Sequence, residues 1–233
     1  LLTALTASLA NRALEETVRE RLVQTAAARA TQLEAYAAER VQDGTTLARA
    51  PTVVSAVTTL RTAAVAATAT PTGEMLQQAA EDFNGFLSYV TASFGYHSLL
   101  LLDADGLVLC SIGDDLQPGR LVTEGSLAAS ELAAGIDRSR TLLQSELGRF
   151  EPFGPAGQPL AFVTSPVFAD GKVVGVLALG LGPERVWQVL TDTTGLGATG
   201  EFLAAEQLGE VARVTVPLRH RPDAAYELTI PLA

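Results

Sequence analysis

The chain has 233 residues, 48% of them hydrophobic, enough to bury the core of one large domain or two small ones. Its 16 Lys and Arg stand against 26 Asp and Glu, and the resulting net charge of -10, with arginines scattered and Lys172 the sole lysine, excludes nucleic acid as a partner. Cys110 is the only cysteine, which rules out disulfides within the chain and every multi-cysteine metal site; inside an apolar run it reads as packing.

Residues 1–49 contain no proline and one glycine, Gly44, while Leu9, Leu14, Val18, Leu22, Leu33, Ala37 and Val41 recur at near-helical steps. They predict one long amphipathic helix whose Ala-rich stripe suits close packing on a second copy of itself or on the chain's own core. The uncharged start, Leu1–Ala10, is about half of the roughly 20 residues a bilayer demands. It reads as the outer end of a membrane helix or as a buried helical turn, and no segment of the chain spans a bilayer.

Pro51 ends that helix and suits the first turn of a second one carrying Val53, Val57, Leu60 and Ala64. After Pro71-Thr72-Gly73, the residues Leu76, Ala79, Phe83, Phe86 or Leu87, Val90 and Phe94 predict a third helix that stops at Gly95. The pattern then changes to two apolar runs, Leu99–Leu102 and Leu107–Ile112, joined by Asp103-Ala104-Asp105-Gly106, which predicts a hairpin. Ser126 is the expected cap of a helix through Gly135 that turns Leu127, Leu132 and Ile136 inward. Strands follow at Thr141–Ser145, Pro159–Phe168 and Lys172–Leu181, the last two joined at Asp170-Gly171, and a helix runs from Pro183 to Asp192. This order predicts an α+β fold with a five-stranded antiparallel sheet.

These residues resemble the double Cache (tandem PAS-like) sensor domains of bacterial histidine kinases, diguanylate cyclases and chemoreceptors. The resemblance rests on four motifs in order: the long helix ending in Leu47-Ala48-Arg49-Ala50-Pro51, LLLLDADGLVLCS (Leu99–Ser111), PVFADGKVVGVLALGL (Pro166–Leu181), and GLGATGEFLA (Gly195–Ala204). It implies a stalk and short helices over residues 1–79, a membrane-distal PAS-like unit over 80–192, and an incomplete membrane-proximal unit over 193–233, from a shortened chain or a reduced second domain. Three strands are expected in that last part, Glu201–Ala205, Glu210–Val216 and Tyr226–Leu232. It further implies an extracytoplasmic, periplasmic location on a membrane-anchored receptor whose membrane segments lie outside this chain. Amino-acid-binding members carry an Arg and aromatic signature near the third strand; here Ser145–Phe153 holds Arg149, Phe150 and Phe153 at a different spacing, so no amino-acid ligand is assigned.

Catalytic chemistry finds little support. Gly195, Gly197 and Gly200 match G-x-G-x-x-G, but a helix precedes and a strand follows, the reverse of a dinucleotide site, so they read as turn residues. His97 and His220 are the only histidines and share no ligand spacing, which leaves nucleophilic catalysis without its base; His97, just past Gly95, reads as a partner of helix carbonyls. Asp103, Asp105, Asp114 and Asp115 read as turn-forming acids rather than a calcium site. No catalytic residue, cofactor or metal is therefore expected.

A PAS-like sheet offers one face, with its covering helix and loops, as a pocket. Along Pro159–Phe168, alternation puts Phe162 and Thr164 on one face and Ala161, Val163 and Ser165 on the other. Ser111, Arg149, Phe150, Phe162 and Thr164 are the expected ligand-binding residues, for a small molecule bearing a carboxylate or similar group. The expected function is a noncatalytic small-molecule sensor that signals through its N-terminal helix as a homodimer. The alternatives are a filled module that scaffolds a receptor or binds protein and, third, an α+β hydrolase, which demands an acid–base pair in a cleft.

Overall fold

With no proline to remove a donor or block a turn, the opening segment forms a single helix, α1, Leu2–Ala48. Pro51 stands at the first position of α2, Pro51–Ala66, where its missing N–H has no helical partner to lose. The computed structural model describes residues 2–66, 71–113, 115–197 and 199–232, with side chains from residue 12 onward. The chain folds as two compact units: one from Ala37 to Pro183, the other from the residues up to Tyr36 together with those from Glu184 on.

In the larger unit the third predicted helix is two helices, α3 (Gly73–Ala79) and α4 (Glu81–Ser93), separated at Ala80. Ala80 is buried, and the break there lets Leu76 on one side and Leu87 and Val90 on the other enter the same core. The hairpin follows as β1 (Ser98–Asp103) and β2 (Val108–Ile112). Its turn is held by Asp103, whose carboxylate accepts from the N–H groups of Asp105 and Leu107 at 2.9 and 2.8 Å.

The next helix, α5, runs Glu131–Leu142 and is capped by Ser130, not Ser126. The Ser130 hydroxyl accepts from Ala133 N–H at 3.1 Å, and the Glu151 carboxylate accepts from Glu131 N–H at 2.8 Å. Ser126 lies instead in a 3-10 turn, Gly125–Leu127. Because α5 continues through Leu142, the strand expected at Thr141–Ser145 does not form. Two short strands take its place, β3 (Glu146–Leu147) and β4 (Glu151–Phe153), both paired with β5 (Gln158–Ala169). With β6 (Lys172–Leu181) the sheet is fully antiparallel and six-stranded rather than five-stranded, in the order β2-β1-β6-β5-β3 with β4 beside β5. The β5–β6 turn has positive φ at both Asp170 and Gly171, the geometry that an Asp-Gly pair adopts readily in a two-residue hairpin.

Alternation along these strands makes two cores. Leu99, Leu101, Leu109, Val163, Val167, Leu177 and Leu179 pack under α2, α3, α4 and the end of α1. Leu100, Leu102, Val108, Phe162, Val176 and Ala178 pack on the other face with Leu132 and Ile136 of α5. Gly44 lets α1 lie directly on the first face, since a Cβ there would stand 2.5 Å from Ser165 Oγ and 2.6 Å from Val163 Cγ1. Polar contacts pin the same stretch: Tyr96 Oη donates to Asp43 at 2.9 Å, Arg40 to Phe94 C=O at 3.2 Å, and Thr45 Oγ1 lies 2.8 Å from Ser145 Oγ.

In the smaller unit, α6 (Glu184–Thr191) is followed by the antiparallel strands β7 (Ala205–Leu208), β8 (Val211–Val214) and β9 (Thr229–Pro231). The first of these starts where the expected Glu201–Ala205 strand ends, because the tight turn at Gly209, which has positive φ, fixes the β7–β8 pairing at Leu208↔Val211. Trp187 on α6 donates its Nε1–H to Thr215 C=O at 2.8 Å and packs beside Val214, Val216 and Ala224. Arg29 of α1 and Asp192 form an ion pair. No helix among the described residues is long and apolar enough to cross a membrane.

Candidate functional site

Four of the five residues expected to bind ligand lie about one end of β5 and α5. Phe162 and Thr164 point together to the α5 face, as alternation requires, and both are buried. Phe162 meets Phe153 edge-to-face with centroids 4.8 Å apart, and Thr164 Oγ1 donates to Gly135 C=O of α5 at 3.0 Å. The space directly beneath α5 is thus filled by side chains. Arg149 and Phe150 occupy the connection between β3 and β4, whose Gly148 N–H donates to Phe162 C=O at 2.9 Å. Arg149 is exposed and grips Glu131, the first residue of α5, through Nε at 2.9 Å and through Nη2. Burial alone would raise the Glu131 carboxyl, but the hydrogen bond and charge of Arg149, with those of Arg138, outweigh it and hold the group below its ordinary range. Glu151, capping α5, moves the other way: its burial raises it.

Ser111 lies elsewhere on that face. It sits opposite Leu100 in the β1–β2 ladder, at the outer edge of the sheet. A bulge at Leu109 places it there, since the ladder passes from Leu101↔Cys110 to Leu102↔Val108.

Open space on the α5 side lies at its rim. A cleft of about 350 Å³ is bordered by Asp115, Leu116, Gln117 and Arg120 of the loop after β2, by Ser126 and Leu127, and by Phe153, Gly154 and Pro155. One wall is apolar; the other brings a carboxylate and a guanidinium into the same space. Asp115 Oδ1 stands 3.4 Å from His97 Nε2, so His97 turns to an acid and not to helix carbonyls, while Asp115 Oδ2 is buried and accepts no hydrogen bond. Sequence reasoning read Asp115 as a turn residue and did not single out Arg120, because only the fold of the loop carries them to one cleft. Asp114 lies outside the described residues.

A larger cleft, of about 720 Å³, lies on the opposite side of the same loop, between α3, α4 and the edge of β2, and Ser111 borders it. Among the described residues the two clefts share only Gln117. Among the described residues no group of three or more His, Cys, Asp or Glu is placed to hold a metal ion. Gly195 and Gly197 have positive φ in the turn that follows α6, in keeping with their reading as turn residues.

No family model matches the chain, and no curated protein matches it significantly in sequence. Solved structures do. The ligand-binding domain of the Pseudomonas fluorescens chemoreceptor CtaA, in complex with L-isoleucine, aligns over 93% of this chain and 74% of its own, at 14% identity and a TM-score of 0.51. The sensor domain of the V. cholerae histidine kinase DctB aligns over 90% of this chain and 88% of its own, at 12% identity and a TM-score of 0.49. The ligand-binding domain of the Campylobacter jejuni chemoreceptor Tlp3, in complex with 4-methylisoleucine, gives 76% and 63%, at 13% identity and a TM-score of 0.45, so the chain spans a little under two thirds of that domain. At these identities the likeness concerns the fold: α+β, with a long N-terminal helix, one antiparallel sheet and a smaller second sheet, as in Cache-type sensor domains.

Proposed function

We propose that this chain is the extracytoplasmic sensing part of a transmembrane signalling receptor, noncatalytic, that binds a small carboxylate-bearing molecule and signals through α1. Its place would be the periplasmic side of a bacterial inner membrane. In this proposal residues 80–192 form the membrane-distal ligand unit, 1–79 its stalk and short helices, and 193–233 belong to a membrane-proximal unit. The observation that carries it is the rim cleft on the α5 side. Arg120 offers a carboxylate partner, buried Asp115 Oδ2 lacks a donor, and Phe153, Leu116 and Leu127 supply an apolar wall, the few convergent polar groups on an apolar surface that small-ligand sites share. Support comes from a fold that in CtaA belongs to a ligand-binding domain in complex with an amino acid. Phe162 would back the apolar wall through its edge-to-face contact with Phe153, and Arg149, Phe150 and Thr164 would support β4 and α5 around it, whereas Ser111 borders the other cleft and falls outside this site.

The contacts of α1 with the sheet at Gly44, and with the loops before β1 and β3 at Asp43 and Thr45, offer a route for signalling. A ligand that shifts the loop after β2 would shift the sheet on which α1 lies, and helices packed in this way move between discrete positions. A homodimer through α1 would turn that shift into an output.

The test is a thermal-shift screen of the purified chain against amino acids, organic acids, amines and nucleobases. At a hundredfold excess over Kd, one bound ligand adds about 2.7 kcal/mol to stability, a readable rise in melting temperature. A carboxylate that raises it in the wild type but not in Arg120→Gln supports the sensor. A flat response to every carboxylate, from a protein that melts cooperatively, would move the assignment to a filled scaffold.

A further inference from the structure

We infer that the large cleft between α3, α4 and the edge of β2 is a second binding site, for a small organic cation carrying several N–H donors. The site is distinct from the rim cleft proposed above. Its walls come from the two helices on one side and from Cys110–Gly113 with Gln117 and Pro118 on the other, around a space of about 720 Å³.

The lining determines the chemistry. Glu74 and Glu81 bring two carboxylates, while Gln77, Gln78 and Asn84 bring amide oxygens, and among the described residues no Lys, Arg or His borders the space. A carboxylate or phosphate ligand would face Glu74 and Glu81 with no cation among the described lining residues to offset them, in a chain that already carries a net charge of -10. A metal ion is a poor occupant, because no three His, Cys, Asp or Glu side chains among the described residues converge. A quaternary ammonium is also a poor one, because among the described residues no aromatic ring borders the cleft to face it. What remains is a primary amine or a guanidine, whose N–H groups match carboxylate and amide oxygens. The buried Cys110 and part-buried Ile112 at the strand edge give an alkyl chain an apolar surface to lie on.

The probe is agmatine, which carries a guanidinium and an ammonium on a four-carbon chain, titrated calorimetrically into the full chain. Succinate and tetramethylammonium serve as comparisons. Saturable binding of agmatine is expected, with no binding of tetramethylammonium, while any heat from succinate should vanish in Arg120→Gln and persist in the Glu74 and Glu81 double variant. The double substitution Glu74→Gln with Glu81→Gln should weaken it by about tenfold or more. Both side chains are exposed and hold no ion pair among the described residues, so the fold should survive their change. Glu16→Gln with Glu20→Gln on α1 removes the same charge elsewhere and should leave agmatine affinity intact, as should Arg120→Gln. Absence of saturable binding, binding indifferent to the Glu74 and Glu81 changes, or equal weakening by the α1 pair would each overturn the assignment. Because succinate and Arg120→Gln report on the rim cleft, failure of one site is distinguishable from failure of the other.

Discussion

Replacing Gly44 by alanine should destabilise the protein, although the same change in most helices does the opposite. A helical glycine costs about 1 kcal/mol relative to alanine, so on an exposed face Gly→Ala is a gain. At Gly44 the new methyl group would stand 2.5 Å from Ser165 Oγ and 2.6 Å from Val163 Cγ1, and both residues are 0% exposed. Carbon atoms rest about 3.5–4.0 Å apart, so α1 or β5 must retreat by about 1 Å. Overpacking of this kind costs about 1–3 kcal/mol, and with two buried neighbours on a central strand we take the upper end. Less the helical gain, Gly44→Ala should lose about 2 kcal/mol, a fall in Tm of roughly 4–8 °C for a domain of about 150 residues. Gly85 on α4 is the internal comparison, because nothing lies within 4 Å of its Cβ position. Gly85→Ala should gain about 1 kcal/mol. Urea unfolding of the two variants beside the wild type reads both. If Gly44→Ala matches or exceeds the wild type, α1 does not rest on the sheet at Gly44, and the proposed signalling route loses its point of contact.

Two further changes test local chemistry. Ser130→Ala should cost about 1 kcal/mol by removing the α5 cap, whereas Ser126→Ala should leave the urea midpoint unchanged; equal effects at the two serines would put the helix start elsewhere. Burial, only partly offset by the Ser111 N–H, pushes the Cys110 thiol up from 9.0 to about 11. Between those values the folded protein keeps a proton that the unfolded chain has lost, so stability from this group is whole below pH 9 and falls as pH rises toward 11, by at most about 2–3 kcal/mol. The urea midpoint of Cys110→Ala should accordingly fall less over this range than that of the wild type, and parallel pH profiles would refute the shift.

The turns were legible because their chemistry is local. Asp103 bonds its own hairpin, and Asp170-Gly171 supplies the two positive φ values that a two-residue turn demands. Where distant groups decide, sequence reading drifted. Periodicity runs unbroken across Ala80, and the break there shows only in the structure, where Leu76 and Leu87 on either side of it enter one core. Ser126 and Ser130 are equivalent as local caps; Glu151, 20 residues on, adds its bond to the Glu131 N–H and sets the start of α5. Extending that helix to Leu142 then consumes the residues that had looked like a strand, and pairing passes to β3 and β4.

The candidate site divides along the same line. Phe162 and Thr164 sit on a regular strand, so their shared face follows from a period of two. Ser111 shares that face for a reason hidden from periodicity: the bulge at Leu109 flips every residue beyond it, and without the bulge Ser111 would stand with Leu109 on the face covered by α2, α3 and α4. Asp115 and Arg120 obey no period, since they belong to a loop whose path is fixed by contacts made elsewhere. Val108 N–H donates to Arg120 C=O and Gly119 N–H to Val108 C=O, both at 2.8 Å, which lays the loop along the free edge of β2. The same two bonds set clefts on either side of the loop, one bearing a guanidinium and the other carboxylates, amides and hydroxyls with no cation among the described residues. An edge strand that other sheets must protect from aggregation is here the support from which two chemically opposite surfaces are held apart.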